Sequence, residues 1–402
     1  MLHRKRRLSD LAIFGGPPLT TAPLHVGRPN LGDKTRLLQR ISDILDRRWL
    51  TNGGPLVQEL EERLAEFLQV DHFIATSNGT LALEIATRAT SMTNQVIVPS
   101  FTFVATPHSL VWQGLEPLFC DISPATHHLD PEAVERAINP NCTGILGVHL
   151  WGRPCQVEAL EAIARTHGLP LVYDAAHAFG CSHGGRSVGT FGDAEIFSFH
   201  ATKFVNGFEG GAIATNNSEI AARARLMRNF GFSGNDQVDS IGINGKMHEA
   251  SAAMLLTSFE AMDDIISHNR RIYHEYKYHL DGIPGISLLH YDERERNNYQ
   301  YIVLEIDPAQ SALDRDDLVR VLWAENVLAR KYFYPGCHRT EPYRSLPPEK
   351  RAILPATEWL AERVVTLPTG QAMTLEAVRG ICDIVALVVS NSARIGKALV
   401  DI

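Results

Sequence analysis

Two charged side chains stand where apolar segments end, and both could take part in chemistry. Lys203 follows the run EIFSFHAT, and Asp174 ends the run LPLVYD 29 residues earlier. The glycines near Lys203 come after it, in KFVNGFEGG, whereas a nucleotide-binding P-loop needs them before the lysine and a hydroxyl residue behind it. The sequence therefore excludes a P-loop and leaves Lys203 as either a reactive amine or a solvated lysine.

A third segment, Asn78-Gly79-Thr80, lies between the run HFIAT and a helical pattern that begins near Leu81. Free N–H groups and the helix dipole at such an N-terminus suit a phosphate, although the same residues also fit an ordinary helix cap. Asp174 could likewise be either a helix cap or a functional acid. The alanines that follow it leave room for a flat group, which favours the functional reading.

Taken together, a phosphate cradle, a strand-end aspartate and a later strand-end lysine favour pyridoxal phosphate. The lysine would form a Schiff base, and the aspartate would keep the pyridine nitrogen protonated so that the ring acts as an electron sink. Attack on a carbonyl requires a neutral amine, so a lysine pKa of ~10.4 would have to be lowered by its surroundings.

The segments around these residues predict an α/β fold. From about residue 50 to 215, short apolar runs such as QVIVPS, GILGVHL and GAIATN alternate with amphipathic segments such as VEALEAIARTHG. This alternation is typical of a mainly parallel sheet with helices on both faces. Asp130-Pro131 predicts a helix start and Gly168 a helix end. In such sheets ligands bind outside the carboxyl ends of the strands, where Asp174 and Lys203 are expected.

The pattern changes after residue 251. Residues 252–280 predict one long helix, YQYIVLEI a strand, DRDDLVRVLWAENV a helix and VLARKYFY another strand. We therefore predict two closely packed domains: residues 1–260, with an N-terminal segment and a large cofactor-binding α/β domain, and residues 261–402, a small α+β domain.

Composition restricts the classes of partner. The net charge of −8 provides no overall attraction to nucleic acid or anionic membrane. Six cysteines without a C-x-x-C pair argue against a zinc site, so no metal is expected, and they fit a reducing cytoplasm. No apolar run reaches membrane-spanning length, and the basic start MLHRKRR predicts a frayed, solvated terminus.

The motifs resemble those of one enzyme family along nearly the whole chain. The matching segments are WLTNGGPLVQELEERLAEF, TSNGTLAL, VPSFTFVATPHSL, DAAHAFG, FSFHATKFVNGFEGGAI and GINGKMHEASAAM. They resemble the DegT/DnrJ/StrS sugar-nucleotide aminotransferases, which implies the pyridoxal-phosphate-dependent transferase fold type I of aspartate aminotransferase. SDLAIFGGPP, VGRPN, HLWGRPC and YFYPGCH are similar to the branch of dTDP-4-keto-6-deoxyhexose 4-aminotransferases of the desosamine-pathway type.

The resemblance implies a role for each matching residue. Lys203 corresponds to the Schiff-base lysine and Asp174 to the partner of the pyridine nitrogen. The other implied cofactor contacts are His177 near the phenolic oxygen, Phe103 stacked on the ring, Gly79, Thr80 and Ser198 at the phosphate, and Asn244 reaching the phosphate of a neighbouring subunit. Thr51, Asn52 and His338 are candidate substrate contacts, whereas His200 is expected to be a structural strand histidine.

The resemblance also implies the reaction. A nucleotide-linked 4-keto-6-deoxy sugar, dTDP-4-keto-6-deoxyglucose, would receive an amine from L-glutamate in a homodimer with shared sites. Two alternatives stay open: an aminotransferase acting on a 3-keto sugar or a cyclitol, and a non-catalytic regulatory protein with the same fold. An intact Asp174 and Lys203 pair argues against the regulatory alternative.

Overall fold

The computed structural model describes residues 2–400 and contains a central seven-stranded sheet. The strands are β1 (Leu24–His25), β2 (His72–Thr76), β3 (Gln95–Pro99), β4 (Glu116–Cys120), β5 (Cys142–Val148), β6 (Leu171–Asp174), β7 (Ser182–His183), β8 (Arg186–Ser187), β9 (Ala194–Ser198), β10 (Gly211–Thr215), β11 (Ile286–Leu288), β12 (Ile302–Ile306), β13 (Val327–Leu328) and β14 (Val364–Leu367). The central sheet has the order β2-β10-β9-β6-β5-β3-β4, and only β10 runs antiparallel to its neighbours. The predicted mainly parallel sheet is confirmed.

Between residues 2 and 400, α-helices cover both faces of this sheet and also pack with the C-terminal strands. They are α1 (Lys34–Arg47), α2 (Pro55–Leu68), α3 (Gly79–Ala89), α4 (Ala105–Trp112), α5 (Pro131–Ala137), α6 (Val157–His167), α7 (Ser218–Arg228), α8 (Glu249–Glu260), α9 (Met262–Leu280), α10 (Pro308–Ser311), α11 (Arg315–Ala324), α12 (Pro355–Ala361), α13 (Leu375–Ser390) and α14 (Ser392–Val400). Alternate residues of β2 serve the two faces: Phe73 packs with α2 and α8, and Ile74 packs with α3 and α7. No helix between residues 2 and 400 is long and apolar enough to cross a membrane.

The predicted signals at the ends of two helices are confirmed. Asp130 accepts a hydrogen bond from the Glu132 N–H at 3.1 Å, and Pro131 takes the first helical position of α5. Gly168 ends α6 with φ at 63°, a left-handed conformation that glycine adopts without steric cost.

The single helix predicted over residues 252–280 is wrong, because Ala261 separates α8 from α9. Each of the two helices buries its apolar side in a different core. Leu255 and Leu256 of α8 pack against the large sheet, whereas Tyr273 and Tyr276 of α9 pack with the C-terminal strands. A break at Ala261 lets the two helices follow these different directions. The division of the chain at residues 260 and 261 stays a prediction.

The predicted strand VLARKYFY is only partly correct. After β13 the pairing continues only as an isolated antiparallel bridge between Arg330 and Thr366. The next residues form two turns, in which the Tyr334 N–H donates to the Lys331 carbonyl and the Gly336 N–H to the Phe333 carbonyl. These turns present aromatic side chains at the edge of the C-terminal unit. That unit is built on the antiparallel sheet β11-β12-β14.

From residue 2 onward the basic N-terminal segment packs against the rest of the chain, contrary to the expectation of a frayed, solvated terminus. Lys5 is only 2% exposed, and its Nζ lies 2.8 Å from Glu325 Oε2 and donates to the Asp10 carbonyl at 2.7 Å. The Glu325 carboxylate also accepts the N–H groups of Ala12 and Leu19. A buried lysine needs such a partner, and only the folded chain brings a residue from position 325 next to the N-terminus. We propose that this segment belongs with the C-terminal unit.

Candidate active site

One cavity of about 370 Å³ opens at the carboxyl ends of the parallel strands. Three chain segments bring the predicted residues to it: β6 ends at Asp174, β9 ends at Ser198, and α3 begins at Gly79. Most of the predicted cofactor residues line this single cavity, namely Gly79, Thr80, Phe103, Asp174, His177, Ser198 and Lys203. Their convergence follows from the sheet, because parallel strands end at the same edge.

Asp174 is held rigidly at the back of the cavity. The residue is 6% exposed, and its Oδ2 accepts a hydrogen bond from Thr106 Oγ1 at 2.8 Å while Oδ1 accepts the Ala176 N–H at 3.0 Å. Burial raises the pKa of this carboxyl, and the two hydrogen bonds and the charge of Lys203 oppose that shift. The carboxylate is thus oriented toward a cation or a protonated ring nitrogen in the cavity.

Lys203 has the properties of a reactive amine. It lies in a turn after β9, where its N–H donates to the His200 carbonyl at 2.8 Å. The residue is partly exposed at the cavity wall, but protein surrounds the amine densely. Desolvation therefore lowers the pKa of Lys203 to about 8, and the charge of Asp174 acts in the opposite direction. This shift increases the neutral, nucleophilic fraction of the amine at physiological pH.

The N-terminus of α3 forms an anion site at the cavity. Asn78 Oδ1 caps the helix by accepting the Leu81 N–H at 2.9 Å. Within residues 2–400, the N–H groups of Gly79 and Thr80 donate no hydrogen bond and can face a phosphate. A Cβ on Gly79 would lie 2.9 Å from the Cβ of Ser198, so only glycine allows this helix to approach the strand so closely.

His177 stands beside Asp174 as a neutral imidazole. Burial and the charge of Lys203 hold its pKa well below the usual range for histidine. Its Nδ1 accepts the Trp151 N–H at 3.4 Å, so Nε2 carries the ring proton and can donate it to an oxygen in the cavity. The ring packs against Tyr301 with the centroids 4.4 Å apart, which fixes its orientation.

The C-terminal unit completes the wall of the cavity with residues that the sequence did not single out. Tyr301, Tyr332 and Phe333 line the cavity together with Phe103 and His177. Phe103 is 57% exposed, so one face of its ring is available for stacking on a flat ligand. Tyr332 and Phe333 belong to the turns after β13, which the sequence predicted as a strand.

Two residues outside the predicted set hold the reactive groups in position. Thr106 on α4 orients Asp174, as described above. Asn30, in the motif VGRPN, is 3% exposed and donates from Nδ2 to the Phe204 carbonyl at 3.1 Å, directly after Lys203. Its Oδ1 accepts the Gln371 N–H at 2.9 Å, so Asn30 joins the reactive loop to the C-terminal unit. These contacts span 68 to 341 residues, so no local sequence signal could identify them.

Four predicted residues lie outside the cavity. Asn244 is exposed in the segment between α7 and α8, and Thr51 and Asn52 form a turn before α2. His338 is 7% exposed, with Nδ1 2.6 Å from Ser100 Oγ and Nε2 3.2 Å from Glu358. Both ring nitrogens of His338 therefore have protein partners, and this geometry gives no support to its assignment as a substrate contact. The roles of Thr51, Asn52, Asn244 and His338 stay predictions.

His200, expected to be structural, lines the same cavity with Thr202 and Glu209. Its Nδ1 lies 2.8 Å from Thr202 Oγ1, and its Nε2 lies 3.6 Å from a Glu209 carboxylate oxygen. The ring therefore stands next to Lys203 at the open side of the cavity. Strand periodicity could not show this, because β9 ends at Ser198 and His200 belongs to the turn that follows.

Comparison with known proteins identifies the family. The model of the DegT/DnrJ/EryC1/StrS aminotransferase family, whose members depend on pyridoxal phosphate, matches residues 32–386. A dTDP-4-amino-4,6-dideoxy-D-glucose transaminase of Shigella dysenteriae is 39% identical over 313 residues, 78% of this chain and 85% of the relative. A GDP-perosamine synthase of Vibrio cholerae is 30% identical over 89% of this chain and 97% of the relative.

Solved structures agree with these matches. DesI, crystallised in the presence of its TDP-sugar product, is 48% identical and superposes with a TM-score of 0.93, covering 97% of this chain and 99% of DesI. PseC of Helicobacter pylori, an aminotransferase involved in the biosynthesis of pseudoaminic acid, is 25% identical with a TM-score of 0.84, covering 92% of this chain and all of PseC. The chain belongs to the DegT/DnrJ/EryC1/StrS aminotransferase family.

Proposed function

We propose that this protein transfers an amine from L-glutamate to the C4 carbonyl of a nucleotide-linked 4-keto-6-deoxy sugar, dTDP-4-keto-6-deoxyglucose, in a pyridoxal-phosphate-dependent reaction. The product is the 4-amino-4,6-dideoxy sugar nucleotide. The observation that carries the proposal is the convergence of Lys203, Asp174 and the N-terminus of α3 on one cavity. The names of the transaminase relatives and of DesI support the choice of substrate.

The residues present fit pyridoxal phosphate. The phosphate would bind the N–H groups of Gly79 and Thr80 and the hydroxyl of Ser198, which all face the cavity. Asp174 would pair with the pyridine nitrogen, and Phe103 offers an exposed ring face for stacking. When bound, the cofactor supplies an electron sink for carbanionic charge.

The protein's own groups then handle the protons. Lys203 is the basic group in the cavity whose lowered pKa lets it both accept and donate a proton near neutral pH, as transfer at the substrate α-carbon requires. The hydrogen bonds from Thr106 and Ala176 favour the ionised form of the Asp174 carboxyl, against the effect of burial, which raises its pKa. His177 Nε2 donates a hydrogen bond to an oxygen of the ligand without changing its own charge.

The experiment that tests this proposal identifies the product of the reaction. The enzyme is incubated with glutamate and dTDP-4-keto-6-deoxyglucose, and NMR locates the new amine. We expect an amine at C4, and we expect Lys203→Ala to form no product. A Lys203→Ala protein that retained the visible absorbance of the bound cofactor and full turnover would refute the proposal.

The same assay separates the alternatives. A panel of 3-keto sugar nucleotides and keto-cyclitols, each offered with glutamate, would identify an aminotransferase of different specificity. A regulatory protein with the same fold would hold no cofactor after purification and would aminate none of these substrates. The lowered pKa of Lys203 favours an enzyme over a regulatory protein.

We also propose a homodimer in which Asn244 serves the partner's site. Large apolar side chains stand exposed on α1 and near Asn244, including Leu45 at 61% and Ile241 at 87% exposure, and a second copy would cover them. Inactive Lys203→Ala and Asn244→Ala variants should then complement each other when mixed. Random pairing should restore roughly a quarter of wild-type activity, because half of the dimers would hold one intact site. Recovery of no activity would contradict shared sites.

A cytoplasmic location is part of the same proposal. All six cysteines are buried as free thiols, as expected for a protein of a reducing compartment.

A further inference from the structure

A chain of hydrogen bonds connects His177, in the wall of the cavity, to Glu305 on β12. The Trp151 N–H donates to His177 Nδ1 at 3.4 Å, and the Trp151 indole Nε1 donates to His127 Nδ1 at 3.2 Å. His127 Nε2 lies 3.0 Å from Glu305 Oε1. Four residues that are remote in the sequence therefore meet in one line of polar contacts, and the function proposed above gives a role only to His177.

The donors in this chain fix the position of each ring proton. An indole N–H can only donate, so His127 Nδ1 is the acceptor and the ring proton of His127 lies on Nε2. That proton is directed at the Glu305 carboxylate, which makes Nδ1 a better acceptor for the indole. The backbone N–H of Trp151 likewise can only donate, so His177 also carries its proton on Nε2.

Two residues of the chain have a backbone conformation that their side chains disfavour. His127 has φ at 66° and Trp151 has φ at 62°, in the left-handed region, which costs free energy for a residue with a Cβ. Both are buried, at 1% and 0% exposure. The Tyr291 hydroxyl donates to the Trp151 carbonyl at 3.0 Å, and the indole stacks on Phe333 with the ring centroids 5.3 Å apart. These contacts hold Trp151 in a conformation that directs its N–H at His177.

We propose that His127 is a positioning residue for the active site: through Trp151 it holds His177 in the tautomer and orientation that direct Nε2–H at the ligand. Glu305 supports this role by orienting the His127 ring. Because contacts of the Trp151 side chain offset the strain of its backbone, loss of the His127 acceptor lets that backbone relax and withdraw its N–H from His177. The inference rests on the proposed function for the role of His177, and it adds residues that act through His177.

The test is a double-mutant cycle that measures binding of pyridoxal phosphate without turnover. We expect His127→Leu, which removes the acceptor of the indole, to raise the Kd for the cofactor about tenfold. In a His177→Ala protein the same change should alter the Kd by less than about twofold, because the residue through which His127 acts is gone. His127→Asn should restore most of the affinity, because asparagine tolerates a left-handed backbone and offers an amide oxygen to the indole.

Val385→Ala provides a matched control for lost packing. Val385 is buried on α13 in the core of the C-terminal unit, so its truncation should lower the free energy of unfolding and leave the Kd for pyridoxal phosphate unchanged. If His127→Leu raises the Kd by the same factor with and without His177, His127 has only a structural role and the proposal is wrong. An unchanged Kd in His127→Leu would overturn it as well.

Nitrogen NMR of the histidine rings tests the same arrangement in the wild-type protein, independently of how well the variants fold. The ring signals are assigned by their absence in His127→Asn and His177→Ala. Both rings should carry their proton on Nε2, and a proton on Nδ1 of either ring would overturn the proposal. An enzyme that shows the expected cycle and ring protons but aminates no keto sugar would refute the proposed function and leave the positioning role of His127 intact.

Discussion

The lowered pKa of Lys203 predicts how fast the apoenzyme captures its cofactor at each pH. Bond formation with the cofactor aldehyde requires the neutral amine. With a pKa of about 8, about one amine in eleven is neutral at pH 7, compared with about one in 3,000 for an ordinary lysine. The site should therefore hold about 300 times more reactive amine than a solvated lysine at that pH.

The assay mixes apoenzyme with pyridoxal phosphate and records the visible band of the lysine-bound cofactor across a pH series. Burial disfavours the charged ammonium, so the capture rate should rise with pH up to about 8 and then level off. Asp174→Asn should move the inflection to lower pH, because the charge of Asp174 favours the ammonium form. Lys203→Ala should form no such band at any pH.

The refuting result is a capture rate that keeps rising about tenfold per pH unit to pH 10, as for an unperturbed lysine. An inflection that moves to higher pH in Asp174→Asn would contradict the sign of the interaction between the two residues. The first result would mean that water reaches the amine freely and that the cavity does not lower the pKa of Lys203.

Three further changes test the contacts around the site. Thr106→Val should raise the pKa of Asp174 further and weaken cofactor binding about tenfold, whereas Thr106→Ser should restore binding, measured by cofactor titration. Lys5→Met should lower the free energy of unfolding by about 3–5 kcal/mol, because its buried carboxylate partner loses its cation; the exposed neighbour Arg4 gives a control, and an equal loss in Arg4→Met would contradict the role of the ion pair. Asn30→Ala should raise the Kd for pyridoxal phosphate about tenfold by releasing the loop of the reactive lysine. If Asn30→Ala lowers the free energy of unfolding but leaves the Kd for pyridoxal phosphate unchanged, Asn30 has a purely structural role.

Sequence patterns identified the elements of the large sheet because each strand there is a short apolar run between amphipathic helices. Buried β2, β3, β5 and β6 have this form, and the signals at Asp130 and Gly168 mark helix ends with local chemistry. The same reasoning failed after residue 251. A helical period continues through Ala261, and only the presence of two cores explains why the helix stops there.

The residues of the candidate site also include some that the sequence predicted and others that it did not. Lys203, Asp174 and the Asn78-Gly79-Thr80 segment could be predicted as ligand-binding residues from the sequence. In an α/β sheet, ligands bind at the carboxyl ends of the strands, where these strand ends and this helix start lie. The role of His338 as a substrate contact stays a prediction, and only the folded chain shows that Ser100, 238 residues earlier, contacts its ring. Tyr332 was expected in a strand and instead forms part of the cavity wall.

The sequence by itself determined the fold class, and it predicted a reactive lysine, a partner aspartate and a phosphate-binding helix start, because each depends on residue types and their order along the chain. The tertiary structure decided everything that depends on distance between remote segments. It brought Thr106 to Asp174, Asn30 to the loop of Lys203, and the aromatic rings of the C-terminal unit to the wall of the cavity. Burial, which sets the pKa of Lys203, likewise arises only when these segments pack together.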